Sequence, residues 1–147
     1  MAAGALATKA RVLVVDDDDD SRRLVGHLLE RAGYEVVSAN GGQKAIDMLR
    51  TTAVDVVLLD VMMPKMDGFA VCRELKRSPA TASLPVILIT AKDDMETRAA
   101  GMNLGVSDFL AKPVNKNELL QRVETQIKAR QRALELERAQ KRAESLG

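Results

Sequence analysis

Three short apolar runs constrain what this chain can fold into: RVLVVD (11–16), DVVLLDV (55–61) and LPVILIT (84–90). Each is of strand length and rich in β-branched residues, and each is apolar at successive positions, where a strand with one wet face would alternate. Such strands are covered on both faces, as in a parallel sheet with helices above and below. Two weaker runs, YEVVSA (34–39) and SDFLA (107–111), bring the number to five. Helical spacings fill the gaps. Leu24, Leu28, Leu29 and Ala32 predict a helix closing at Gly33, and Ala45, Ile46, Met48 and Leu49 a second. Phe69, Val71, Cys72 and Leu75 predict a third, and Met95, Ala99, Ala100 and Met102 a fourth, opened by an Asp93-x-x-Glu96 box. The expected architecture is therefore α/β: a doubly wound, five-stranded parallel sheet with right-handed crossovers.

In such a sheet the working surface lies at the carboxyl ends of the strands, near the point where strand order reverses. The first strand ends in Asp16 and Asp17, the third in Asp60 and the fourth in Thr90, while the fifth runs through Phe109 to Lys112. If the first and third strands are neighbours, the three carboxylates crowd together. Either one pKa then rises or a cation gathers among them. Mg²⁺ suits such a set, because it takes oxygen ligands and keeps open positions for water and phosphate. Asp18, Asp19 and Asp20 complete a run of five aspartates and are read as the cap and first turn of the first helix. Beside a cation, Asp60 could act as an oxygen nucleophile toward a phosphoryl group, with Thr90 donating its hydroxyl to that group and Lys112 pairing with it. The VMMPKMDG segment after Asp60 reads as a turn in which Pro64 and Gly68 keep the chain off the rim. Lys112–Pro113 is a candidate for a cis bond.

At 147 residues the chain has room for one compact domain and an appendage. Its apolar share of 46% is that of a globular protein, and no apolar stretch reaches membrane-spanning length. A net charge of +1 gives no general attraction for nucleic acid or anionic lipid. Cys72 is the only cysteine, which excludes an internal disulfide and a multi-cysteine metal site and fits a reducing cytoplasm. Residues 1–9 read as a flexible leader, with no basic segment ahead of their apolar part. From Asn115, whose side chain can cap with Glu118, the pattern is helical to Gly147, so residues 129–147 extend the last helix beyond what the sheet needs. Leu120, Ile127 and Leu134 recur every seven residues with Val123 between the first two, but Arg130 and Glu137 interrupt the seam. Pairing with a second copy and a solvated single helix both remain open. Basic and acidic residues alternate too evenly there for a nucleic-acid arm, so no direct nucleic-acid binding is expected.

Taken together, VLVVDD, DVVLLDVMMPKMDG, LPVILITA and GVSDFLAKPV, in this order and spacing, resemble the receiver domain of two-component response regulators, with residues 10–128 as the domain. The resemblance implies a flavodoxin-like sheet of order 2-1-3-4-5 with five helices, the last one extended. It makes Asp60 the phosphoacceptor and places Mg²⁺ among Asp16, Asp17, Asp60 and the backbone carbonyl of Met62. Thr90 and Lys112 become the phosphate-sensing pair, Phe109 the switch aromatic, and Met62 and Lys92 the residues that tune hydrolysis of the acyl phosphate. The implied donor is a phosphohistidine on a sensor histidine kinase or a histidine phosphotransfer protein. The implied output face is the fourth helix, fifth strand and fifth helix, a possible homodimer surface alongside the C-terminal helix. A phosphoryl group adds nearly two negative charges, which draws Thr90 and Lys112 inward and opens space for the Phe109 ring. Methionine orients water poorly, so Met62 favours a long-lived phosphoryl state. Such a protein promotes its own phosphorylation and dephosphorylation without turning over an external substrate.

The competing readings are weaker. A receiver-like interaction module that works without phosphorylation is disfavoured by the intact set Asp16, Asp17, Asp60, Thr90 and Lys112. In a flavin or nucleotide binder the first loop would cradle phosphate, and five aspartates repel it. An aspartyl phosphatase would carry an acid two residues after its nucleophile, where Met62 stands.

Overall fold

The structure, a computed structural model, describes residues 9–91 and 94–146. Five strands, β1 (Arg11–Val15), β2 (Glu35–Ala39), β3 (Val56–Asp60), β4 (Val86–Thr90) and β5 (Asp108–Ala111), pair in parallel in the order β2-β1-β3-β4-β5. The helices are α1 (Asp19–Arg31), α2 (Gly42–Leu49), α3 (Gly68–Arg77), α4 (Met95–Asn103) and α5 (Lys116–Leu146). The expected sheet order and helix number are what the chain adopts. All but Lys9 of the expected leader lies outside the described residues.

Burial follows from the period of two along a strand. Leu13, Val15, Val57, Leu59, Leu88 and Phe109 point to one face and join Ala45 of α2 and Val71, Cys72 and Leu75 of α3. Val12, Val14, Val56, Leu58, Ile87 and Leu110 point to the other and join Val25 and Leu29 of α1 and Leu119, Val123 and Ile127 of α5. With both faces covered, β3 and β4 are buried at every position, as their unbroken apolar runs require. Among the described residues no helix is long and apolar enough to cross a membrane.

Three helical expectations are corrected. In α1 Leu29 is buried and Leu28 partly buried, as the spacing predicts, but the inward position one turn earlier belongs to Val25, and Leu24 is 54% exposed. Helix α4 is capped by Asp94, which accepts from Thr97 N at 2.8 Å, so the box is shifted by one residue; Asp93 itself lies outside the described residues. Its inward positions are Thr97 and Gly101, whereas Met95 and Met102 are 89% and 62% exposed. The volume beneath α4 is already filled by Phe109 from β5, and only small side chains fit against that ring. In α5 the cap is as read, with Asn115 Oδ1 accepting from Glu118 N at 3.0 Å. Of the heptad residues, Val123 and Ile127 pack on this chain's own sheet with Leu119, at i, i+4 and i+8, and Leu120 lies partly buried beside them. Across its 31 residues α5 rises about 46 Å. From Gln131 to Leu146 every residue but the half-buried Leu134 is exposed.

Candidate functional site

Because β1 and β3 are neighbours, the register Val15↔Leu59 carries Asp16 and Asp60 to one point just past the last paired residues. Asp16 N still donates to Ala39 O at 3.2 Å, extending the ladder by one bond before the chain turns into α1. Asp60 is the last residue of β3, and Val61 N donates to Ile89 O at 3.1 Å, which fixes its height against β4. One carboxylate oxygen from each of Asp16, Asp17 and Asp60 lies within 4.8 Å of the other two. Asp16 and Asp60 are buried, 5% and 4% exposed, and Asp17 opens to solvent.

The five aspartates divide as expected. Asp18 caps α1, accepting from Ser21 N at 2.9 Å, and Asp19 and Asp20 lie in the first turn beside the helix dipole. Asp16 is held three ways: Oδ1 accepts from Asp18 N at 2.9 Å, Oδ2 from Lys112 Nζ at 3.1 Å, and its carbonyl from Arg22 Nη1 at 2.8 Å. Sequence reading missed Arg22; its spacing from Asp18 and Asp19, one helical turn, is the only local signal it carries.

Lys112 follows β5, separated from β3 by β4, yet its ammonium reaches Asp60 Oδ2 at 2.9 Å as well as Asp16. Its backbone is tied to the end of β4, since Lys112 N donates to Thr90 O at 2.9 Å; the bond to Pro113 is cis, as read. The other oxygen of Asp60 accepts from Met62 N at 3.0 Å. Burial pushes the Asp60 carboxyl above its ordinary pKa; the Asp16 charge adds to this, while the bonds from Lys112 and Met62 oppose it. Burial alone would lower the Lys112 ammonium, but its hydrogen bonds to Asp60 and Asp16 outweigh that and raise it, so it stays charged at neutral pH. One ammonium among three carboxylates leaves an excess of negative charge. An all-oxygen set with two walls buried and one side open fits a hard divalent ion that must keep room for water and phosphate.

Thr90 is fully buried at the end of β4, and Phe109 lies one strand further on, 5% exposed. The Phe109 ring is thus already inside the core. Met62 turns its backbone N–H toward Asp60 and its side chain, 59% exposed, toward solvent. Lys92 lies outside the described residues.

Gly68 does the reverse of holding the chain off the rim. Its N–H donates to Val61 O at 3.0 Å, and a β-carbon on it would stand 2.6 Å from the Asp60 carbonyl oxygen and 2.9 Å from Val61 Cα. Helix α3, capped by Asp67 through Ala70 N at 2.9 Å, therefore starts directly against the Asp60 backbone. The clash is with main chain, which cannot rotate away. Gly68→Ala is expected to cost about 2 kcal/mol in urea unfolding.

The sequence model of the response regulator receiver domain matches residues 12–124. The chain belongs to the receiver domain family. Among its relatives, the response regulator PleD of Caulobacter vibrioides is 48% identical over 114 residues, 78% of this chain and 25% of that protein. A probable transcriptional regulator, ycf27, of Guillardia theta is 37% identical over 128 residues, 87% of this chain and 49% of that protein. The receiver domain thus spans between a quarter and a half of these relatives. Among solved structures, the chemotaxis protein CheY4 of Vibrio cholerae superposes with a TM-score of 0.78 at 32% identity, covering 80% of this chain and 98% of that one. A response regulator receiver protein from Pseudomonas putida gives 0.77 at 31% identity, covering 82% and 99%. As a receiver domain, the chain belongs to phosphorylation-based two-component signalling, in which receivers interact with histidine kinases or phosphotransfer proteins. Receiver domains generally bind Mg²⁺ at an acidic pocket, and Asp16, Asp17 and Asp60 form an acidic cluster in this chain.

Proposed function

We propose that this receiver domain accepts a phosphoryl group on Asp60 from a phosphohistidine of a sensor histidine kinase or histidine phosphotransfer protein in the cytoplasm. The observation that carries the reading is the shared hold of Lys112 on Asp60 and Asp16 at 2.9 and 3.1 Å, beside a third carboxylate open to solvent. Asp16, Asp17, Asp60 and the Met62 backbone carbonyl would hold Mg²⁺. When bound, that ion offsets negative charge on the aspartate and on the incoming phosphoryl group. An Asp60 oxygen attacks phosphorus, the phosphorus–nitrogen bond to the donor imidazole breaks, and an acyl phosphate results. Lys112 loses one carboxylate partner and takes up a phosphoryl oxygen, and Thr90 donates its hydroxyl to another. Both movements pull β4 and β5 ends toward Asp60 and alter the face of α4, β5 and α5, with Phe109 as the reporting ring. In this reading residues 10–128 are the phosphorylated unit and 129–147 its connector, and homodimers form through the α4/β5/α5 face or the C-terminal helix.

Acetyl phosphate with Mg²⁺, read by intact mass, tests the reading: one phosphoryl group per chain is expected, and chelation of the metal should prevent it. Unlabelled protein under both conditions would leave Asp60 without this role. The exposed Met62 side chain brings no polar group to the acceptor, so Met62→Asn is expected to speed loss of the phosphoryl group by about tenfold, followed as the decay of the labelled mass after donor removal.

A further inference from the structure

Helix α4 meets the sheet through Thr97 and Gly101, its buried positions. Gly101 lies inside the helix and has no left-handed torsion to demand a glycine. Glycine there is disfavoured relative to alanine, so something other than backbone geometry calls for it. A β-carbon at 101 would stand 2.5 Å from Phe109 Cζ, 2.9 Å from Phe109 Cε1 and 2.9 Å from Leu88 Cδ1. The missing side chain is a niche, and the tip of the Phe109 ring occupies it. One helical turn earlier on α4, the Arg98 guanidinium lies 5.3 Å from the centroid of the same ring. The helix thus supplies both hollow and cover.

The niche also lies in line with the phosphate-sensing end of β4. Leu88 pairs with Phe109 in the register, and Thr90, two residues beyond Leu88, points to the same face of the sheet. A ring seated under Gly101 and a hydroxyl at 90 therefore share one face of one strand.

We infer that Gly101 is the positioning residue for Phe109: by lacking a side chain it admits the ring beneath α4, and the seated ring sets how closely α4 approaches β4 and β5. The functional consequence rests on the reading of Phe109 as the ring that reports phosphorylation of Asp60; the seating itself does not.

The chain contains only two phenylalanines, Phe69 and Phe109, so incorporation of phenylalanine ¹³C-labelled at the ring Cδ gives two ring resonances, assigned with Phe109→Leu. Gly101→Ala is expected to move the Phe109 resonance to a solvent-exposed position and leave that of Phe69 in place. A Phe109 resonance that stays where it is would overturn the inference. Melting supplies an independent readout. Gly101→Ala should lower Tm in the native chain by several degrees and raise it in the Phe109→Leu background, where Cζ and Cε1 are gone, Leu88 Cδ1 as the end of a flexible side chain can give way, and helix propensity favours alanine. An equal change in both backgrounds would overturn the inference as well. Should Gly101→Ala alone fail to fold, the double variant must fold, and its failure would count against the niche. Labelling by acetyl phosphate then separates the two readings: Gly101→Ala should label at least threefold more slowly. A displaced ring with labelling at native speed would detach Phe109 from the switch. Loss of labelling in the native chain would count against Asp60 and leave the niche untouched.

Discussion

Asp60→Asn is expected to abolish labelling by acetyl phosphate in Mg²⁺ while leaving the metal-free protein at least as stable as the native one. Asparagine keeps the shape of the site. Its carbonyl oxygen can still accept from Met62 N or from Lys112 Nζ, the two bonds Asp60 makes at 3.0 and 2.9 Å. What it loses is the anionic oxygen that attacks phosphorus and one of the three charges that crowd within 4.8 Å. The direction of the stability change follows from the acid's pKa. Burial and the Asp16 charge hold Asp60 above its ordinary value of 3.8, so ionising it weakens the folded state. That penalty is absent at low pH, where Asp60 is protonated folded and unfolded. It grows as pH rises past the unfolded value and levels off above the folded one. Asp60→Asn removes it, so its advantage should be near zero at pH ~4 and reach about 1 kcal/mol at neutral pH without metal, measured by urea unfolding. Magnesium should reverse the order, because it binds the native carboxylates better and stabilises the state it binds. Residual labelling of Asp60→Asn would move the acceptor to Asp16 or Asp17.

How much of this was readable in advance depended on whether one strand end or several elements had to cooperate. Asp16, Asp17 and Asp60 could be placed together because a strand's last residue is fixed by where its apolar run stops, and a parallel sheet puts all such ends on one rim. Lys112 and Thr90 followed for the same reason. Helix faces were less legible. In α4 the positions against the sheet are Thr97 and Gly101, because the bulk in that layer comes from β5 as the Phe109 ring. No periodicity within residues 95–103 could report that, since the deciding atom belongs to another element. In α5 the spacing of Leu120, Val123 and Ile127 marked an apolar face but not its neighbour: all three pack toward this chain's own sheet, joined by Leu119. A sequence pattern states which residues can share a face, and the neighbouring layer decides which face is used. Gly68 was read as a turn residue, whereas its need for glycine comes from contact with the Asp60 main chain at 2.6 Å, a distance set by tertiary packing.

Lys112→Met should produce the largest pH-dependent loss of stability. The ammonium is the one cation bonded to both buried carboxylates among the described contacts, and methionine keeps the length of the side chain while removing the charge. Breaking a buried pair by deleting one partner typically costs 3–5 kcal/mol, because the other charge stays buried and unmatched. Here the Lys112 side chain is 23% exposed and water can screen the vacated position, so about 2–3 kcal/mol is expected at neutral pH in metal-free buffer. The bond to Lys112 is among the influences that lower the Asp60 carboxyl, so without it the folded pKa of Asp60 rises further. A raised carboxylate pKa weakens folding only above the unfolded value, so the gap between Lys112→Met and the native chain should narrow steadily as pH falls toward 4. Magnesium should narrow it at neutral pH by supplying positive charge to the same oxygens. Urea unfolding at pH ~4 and ~7.5, with and without Mg²⁺, separates charge from packing: a loss equal under all four conditions would mean that the substitution acts through packing and not through charge, and the electrostatic account of the acidic cluster would fall with it.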